Sequence, residues 1–234
     1  MKQIKYVAFS MGLCVALTGC NSATNTWNNM SKTGQGAIVG AGGGAALGSI
    51  IGAIAGNTGI GAAIGTAVGA GTGAVIGNRM DKVKKQAQEQ LKNAQVETVT
   101  DKNGLDAVKV TFTSGILFAT NKADLTPSSK NELNNLVHIM KQNSDISIDV
   151  QGYTDNTGND AINNPLSLKR AQSVANYLTG NGVQYAQMKN VNGYGSSNPI
   201  ADNSTEFGRQ QNRRVEIYLY ASQDMINKAK QQAQ

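Results

Sequence analysis

Three charged side chains in this 234-residue chain have the types and spacing to grip a small charged ligand: Asp155, Arg170 and Arg213. Asp155 lies in Gly152-Tyr153-Thr154-Asp155-Asn156-Thr157-Gly158, a short polar loop. The loop follows Ile146-Ser147-Ile148-Asp149-Val150, whose alternation of apolar and polar residues predicts a strand. Sheets flanked by helices tend to place ligands at the carboxyl ends of strands. Arg170 sits beside the stripe Ala171, Val174, Ala175 and Leu178, the buried side of a helix, so it reaches the rim of the sheet. Arg213 shares the parity of Val215, Ile217 and Leu219 on the last strand and points to the side that the helices cover. A guanidinium turned toward a core requires a partner. Two arginines and one aspartate could hold a zwitterion, with guanidinium forks on a carboxylate and the aspartate on an ammonium. They could equally form a plain Arg–Asp bridge that pins the loop, and spacing alone leaves both readings open.

Other chemistries find little support. There is no Gly-x-Ser-x-Gly elbow and no Cys or His cluster at metal-ligand spacing. His138, the single histidine, lies off the helical stripe Leu133, Leu136, Val137 and Met140 and is expected to face solvent. The expectation is a binding protein rather than an enzyme, with no cofactor and no metal. Gly40-Ala41-Gly42-Gly43-Gly44-Ala45 fits a dinucleotide fingerprint, but that motif also needs an acid about 20 residues on. No Asp or Glu occurs between Gly36 and Met80. The net charge of +6 favours an anionic partner only weakly, and the few aromatics offer no base-stacking surface, so no nucleic acid is expected.

The elements that must position the charged residues can be read from residue 108 onward. Val108 to Phe112 alternates as a strand. Thr126 and Pro127 offer a helix N-cap and first helical position. The strand at 146–150 follows, then the Arg170 helix, which stops at Gly180 and Gly182. A short strand around Val191 and a final strand from Arg214 to Tyr220 complete the pattern. The order is βαβαββ, an α+β fold with a mixed sheet, helices on one face and a single core.

The preceding residues differ in composition. Lys2 and Lys5 lead into an apolar run, Tyr6 to Leu17, and then Leu17-Thr18-Gly19-Cys20. Charged start, short apolar core and small residues make an export signal. Glycines at 36, 40, 44, 48, 52 and 56, then at 61, 65, 69, 73 and 77, recur every fourth residue on either side of Asn57-Thr58-Gly59. Each run puts a glycine ridge on one helix face, and such ridges let backbones approach closely. The predicted division is a signal peptide over 1–19, a tether over 20–35, a glycine-zipper helical hairpin over 36–78, a polar helical spacer over 79–107, the globular domain over 108–221 and a polar tail over 222–234.

Several motifs occur in the order of one family. They are Phe118 to Leu125, the Gly152–Gly158 loop, Asn163-x-x-Leu166-Ser167-x-x-Arg170-Ala171, Gly193-Tyr194-Gly195 and Asn212-Arg213-Arg214-Val215-Glu216. As a set they resemble the OmpA-like C-terminal domain, across roughly residues 108 to 221. That resemblance implies non-covalent binding of peptidoglycan through diaminopimelate. Carried over by position, Asp155 takes the ammonium, Arg170 takes the carboxylate, Arg213 lines the pocket, and Asn121 and Asn163 orient the peptide. Tyr153 stands where many relatives have histidine. Leu17 to Cys20 resembles a lipobox, which implies cleavage before Cys20 and its acylation; Asn21 then implies the outer membrane. The Gly36–Gly77 block resembles the glycine zippers of bacterial envelope proteins. Together these resemblances imply a lipid-anchored outer-membrane protein, its domain in the periplasm, that ties the membrane to the wall. The alternative is a permeabilising homo-oligomer assembled through Gly36–Gly77, with wall binding only for placement.

Overall fold

The computed structural model describes residues 69–101, 104–118 and 122–233. The signal segment, Cys20, Asn121 and most of the glycine block lie outside these residues, and so does the expected hairpin turn.

The first described element is α1 (Ala70–Gln90). A hairpin of β1 (Gln95–Thr100) and β2 (Asp106–Thr113) follows, then a single helical turn, α2 (Ser114–Leu117). Next come α3 (Pro127–Gln142), β3 (Ile146–Gly152), α4 (Asp160–Gly180) and β4 (Met188–Gly193). The chain continues through α5 (Glu206–Asn212), β5 (Arg214–Ala221) and α6 (Gln223–Gln232). The strands form one sheet in the order β1-β2-β5-β3-β4. Among the described strands, β3 and β4 pair in parallel and the other pairs are antiparallel. This is the expected α+β class with a mixed sheet, plus an edge strand, β1, ahead of the expected set.

Local chemistry accounts for the helix ends. Thr126 accepts a hydrogen bond from Ser129 N with Pro127 at the first helical position, which satisfies one of the orphan amides at the start of α3. Asn159, Thr205 and Ser222 cap α4, α5 and α6 in the same way.

Alternation divides the sheet into two faces. Val108, Val110 and Phe112 of β2, Ile146, Ile148 and Val150 of β3, and Val215, Ile217 and Leu219 of β5 all join the main core, and each is fully buried. Leu133, Leu136 and Met140 of α3 and Ala171, Val174 and Leu178 of α4 pack into it. The opposite face combines a small cluster of Val99, Ala107, Tyr218 and Tyr220 with a hydrogen-bonded polar network. The Arg214 Nε donates to Glu216 at 2.7 Å, Tyr218 donates to Glu216 at 2.5 Å, and Tyr220 donates to Asp149 at 2.9 Å. The Arg214 guanidinium also lies 3.8 Å from the Tyr153 ring centroid.

Two regions differ from the sequence reading. Residues 79–107 are not a polar spacer. Ile76, Met80, Val83, Ala87 and Leu91 recur at helical spacing and are buried in the core, and β1 and β2 pair directly behind them. The helix starts within the glycine block and runs unbroken past residue 78. Its apolar stripe is narrow and set among Lys and Gln, which is why it reads as polar. Residues 222–234 are likewise not a loose tail, since Met225, Ile226 and Ala229 of α6 are buried. α6 lies against α1 closely enough that a Cβ on Gly71 would come 2.9 Å from the Ala233 Cβ.

Because α1 belongs to the core, Met80→Ala should destabilise the protein by about 2–5 kcal/mol, whereas Lys82→Ala should change stability by less than about 0.5 kcal/mol. Urea unfolding measures both; equal, negligible effects would mean that α1 is a detached spacer after all.

Candidate ligand-binding site

Two glycines decide where α4 lies. A Cβ on Gly152, the last residue of β3, would sit 2.1 Å from the Ser167 carbonyl oxygen. A Cβ on Gly193, the last residue of β4, would sit 2.2 Å from the Leu168 amide nitrogen. Neither approach tolerates a side chain, so α4 rests directly on the strand ends. The Ser167 hydroxyl then accepts a hydrogen bond from Gly195 N at 2.9 Å, which ties the following loop to the same helix. This seating brings Asn163 and Arg170 of α4 to the loop after β3.

That loop carries Asp155. One carboxylate oxygen accepts a hydrogen bond from the Thr157 amide at 2.8 Å, and the other accepts one from Arg213 Nη1 at 2.5 Å. Arg213 Nη2 donates to Glu206 at 2.8 Å, so one guanidinium bridges two carboxylates. Asn163 braces the loop from α4, donating to the Thr157 carbonyl at 3.1 Å and to the Asp155 carbonyl at 3.5 Å. Burial pushes the Asp155 carboxyl up, but hydrogen bonds from Arg213 and Thr157 outweigh it and hold the group below the usual carboxylate range. Burial also works against Arg213, and there too the bonds to Asp155 and Glu206 prevail, raising it.

Arg170 is held differently. It is 4% exposed, and its described hydrogen bonds go to neutral oxygens: the Lys122 carbonyl at 3.1 Å and the Ser114 hydroxyl at 3.5 Å. Its guanidinium carbon lies 5.3 Å from the centroid of the Phe118 ring. Burial, and after it the neighbouring Arg213, lowers this guanidinium from its ordinary value, with Asp155 opposing. Arginine so shifted remains a cation at neutral pH. Asp155, Asn163, Arg170 and Arg213 all line one cavity of about 460 Å³, so four of the five expected pocket residues are brought together. The fifth, Asn121, is outside the described residues.

The sequence reading missed Glu206. It opens α5, a seven-residue helix in a stretch that reads as loop because Gly208 interrupts it. The signal was Thr205, which caps the helix by accepting from Gly208 N at 3.0 Å. Gly208 itself is required, since a Cβ there would meet the Asp202 carbonyl oxygen at 1.9 Å. Tyr153 faces away from the cavity and stacks between Arg214 and Tyr194 on the other side of the sheet. Among the described residues no group of three or more His, Cys, Asp or Glu is placed to hold a metal, and no helix is long and apolar enough to cross a membrane. His138 is exposed on α3 and hydrogen-bonded to Gln142.

Comparison with known proteins places the chain among sequences of similar fold. Residues 117–213 match the OmpA family and residues 1–81 match the YMGG-like Gly-zipper. The chain is 45% identical over 104 residues to the peptidoglycan-binding protein ArfA of Mycobacterium tuberculosis, covering 44% of this chain and 32% of that protein. It is 38% identical over 110 residues to the outer-membrane lipoprotein YfiB of Pseudomonas aeruginosa, covering 47% of this chain and 65% of that protein. The likeness thus spans only part of each relative. A MotB-like protein from Desulfovibrio vulgaris superposes with a TM-score of 0.55 at 23% identity, covering 64% of this chain and 96% of that one, and shares the fold. Over residues 117–213 the chain is thus similar to the OmpA family, and over residues 1–81 to the YMGG-like Gly-zipper.

Proposed function

We propose that this protein binds peptidoglycan through the diaminopimelate of its stem peptides and ties the outer membrane to the wall. One observation carries the proposal. The cavity is lined by an ionised Asp155 and by an Arg170 whose described hydrogen bonds use no carboxylate. A buried cation held by neutral oxygens alone is undercompensated, and a ligand carboxylate supplies what is missing. An ammonium on the same ligand completes the match at Asp155. Diaminopimelate carries both groups on one carbon, as a free amino-acid head.

Each protein residue has a separate part in this reading. Arg170 forms the carboxylate contact. Asp155 takes the ammonium. Arg213, committed to Asp155 and Glu206, fixes the loop and lines the pocket. Asn163 braces the loop, and Asn121 belongs to the same pocket by its motif. Nothing in these roles makes or breaks a covalent bond, so the protein acts by binding and not as an enzyme. The name of ArfA supports wall binding, and that of YfiB supports an outer-membrane lipoprotein. In this reading Cys20 carries the lipid anchor and the domain lies in the periplasm.

Asp155→Ala and Arg170→Ala should each weaken sedimentation of the protein with purified sacculi about tenfold or more, because each removes a charge-assisted hydrogen bond. Free diaminopimelate should compete with the wild type. Undiminished sedimentation of a folded variant would sink this site.

A pH dependence follows from the lowered Asp155. A carboxyl that titrates lower when folded contributes its full stability above its ordinary value of 3.8 and loses it as pH falls through the folded value. The gap in unfolding midpoint between wild type and Asp155→Asn should therefore hold steady from about pH 7 to about pH 5 and close below 3.8. A gap that closes near neutral pH would show that Asp155 is not held ionised by Arg213.

A further inference from the structure

Asp155 and Arg213 meet just beyond the last rung of the β3–β5 ladder. Gly152 pairs with Val215, and the Tyr153 amide still donates to the Arg214 carbonyl at 2.9 Å. Past that point the contact between the two segments passes to side chains, the Asp155–Arg213 bridge on the α4 side of the sheet. The same rung carries a second contact on the far side. There the Arg214 guanidinium lies 3.8 Å from the centroid of the Tyr153 ring, which also stacks on Tyr194 with 5.5 Å between centroids. Tyr153 and Arg214 are both fully buried. Arg214 is fixed at three further points: Nε donates to Glu216 at 2.7 Å, Nη1 to the Asn212 carbonyl at 3.3 Å and Nη2 to the Asn198 carbonyl at 3.2 Å. The Tyr194 amide in turn donates to the Gly152 carbonyl at 2.9 Å. The stack therefore sits where the base of the Asp155 loop, the loop after β4 and the start of β5 meet.

A buried ion pair such as Arg214–Glu216 contributes little net stability, because desolvation offsets the attraction, and apolar side chains of similar volume often serve as well. What an apolar filler lacks is geometry. A guanidinium is planar, its fork aims at several acceptors at once, and its flat face lies on an aromatic ring. We infer that Arg214 and Tyr153 are positioning residues, whose stack on the far face of the sheet holds Asp155 and Arg213 in register on the near face. This inference rests on the proposed function and adds to it a support behind the sheet that does not touch the ligand. The linkage is short: Arg214 follows Arg213 directly, and Tyr153 lies two residues before Asp155. A displaced stack shifts both charges, and hydrogen bonds weaken steeply with misalignment.

The test separates positioning from stability by reading the loop and the core in the same variant. In Arg214→Lys the ammonium can still pair with Glu216 but has neither the fork nor the flat face. Amide hydrogen exchange on the full chain follows Thr157, whose N–H donates to Asp155, and Ile217 in the middle of β5. Thr157 should exchange about tenfold faster in Arg214→Lys while Ile217 stays within about twofold of the wild type, since loops open locally without global unfolding. Titration calorimetry with a synthetic stem peptide that ends in diaminopimelate should show binding about tenfold weaker. Tyr153→Leu should lose both readings in the same way, and Tyr153→Phe, which restores the ring, should recover them; this pair carries the test if Arg214→Lys does not fold. Two results overturn the inference: Thr157 exchange and affinity unchanged in the folded variants, or Thr157 and Ile217 speeding up together, which would show a loss of stability alone. The exchange reading needs no ligand, so a wild type that ignores the peptide sinks the proposed function, whereas unchanged Thr157 exchange sinks this inference alone.

Discussion

Everything at the site depends on how closely α4 rests on the sheet. Helices usually pack on sheets with a layer of side chains between them. Here the backbone of α4 at Ser167 and Leu168 lies directly over Gly152 and Gly193, with no room for even a methyl group. The contact fixes the height of the helix, and with it the reach of Asn163 and Arg170. Leu178, at the far end of the same helix, is fully buried among ordinary apolar neighbours. The helix is therefore pinned at one end and packed at the other, which holds Arg170 in place before any ligand arrives. Preorganisation of this kind lowers the entropic cost of binding.

The charges around the cavity divide into spent and available. Arg213 is spent, since both terminal nitrogens already meet carboxylates. That bridge is partly exposed at the Arg213 and Glu206 side, so its net contribution to stability is modest. Its value is geometric: it joins the loop after β3 to α5, two segments with no other ion pair between them among the described residues. Arg170 is the available charge. Its described hydrogen bonds go to neutral oxygens, and its guanidinium lies over the Phe118 ring. The two arginines look alike in sequence and differ entirely in what they leave for a ligand.

Much of this was legible in the residues. Strand alternation located β2, β3 and β5, and Thr126 with Pro127 marked the start of α3. Parity placed Arg213 on the α4 side. The same parity explains why the next residue, Arg214, belongs to the polar network with Glu216 and Tyr218 on the far face. What stayed hidden was set by tertiary context. Met80, Val83 and Ala87 form too thin a stripe among lysines and glutamines to announce a core helix. Gly208 reads as loop until the Asp202 carbonyl is seen against it.

The course of α1 has a mechanical consequence. Its first turn lies within the glycine repeat, and the helix contacts β1, β2, α3 and α6. A pull on the chain at Gly69 therefore does not slacken a linker first. It loads a helix packed along its length, in shear, so that many contacts share the strain at once. The cavity at the carboxyl end of β3 is joined to that helix through the intervening sheet. Along such a path tension passes through the folded core and leaves little of it to stretch.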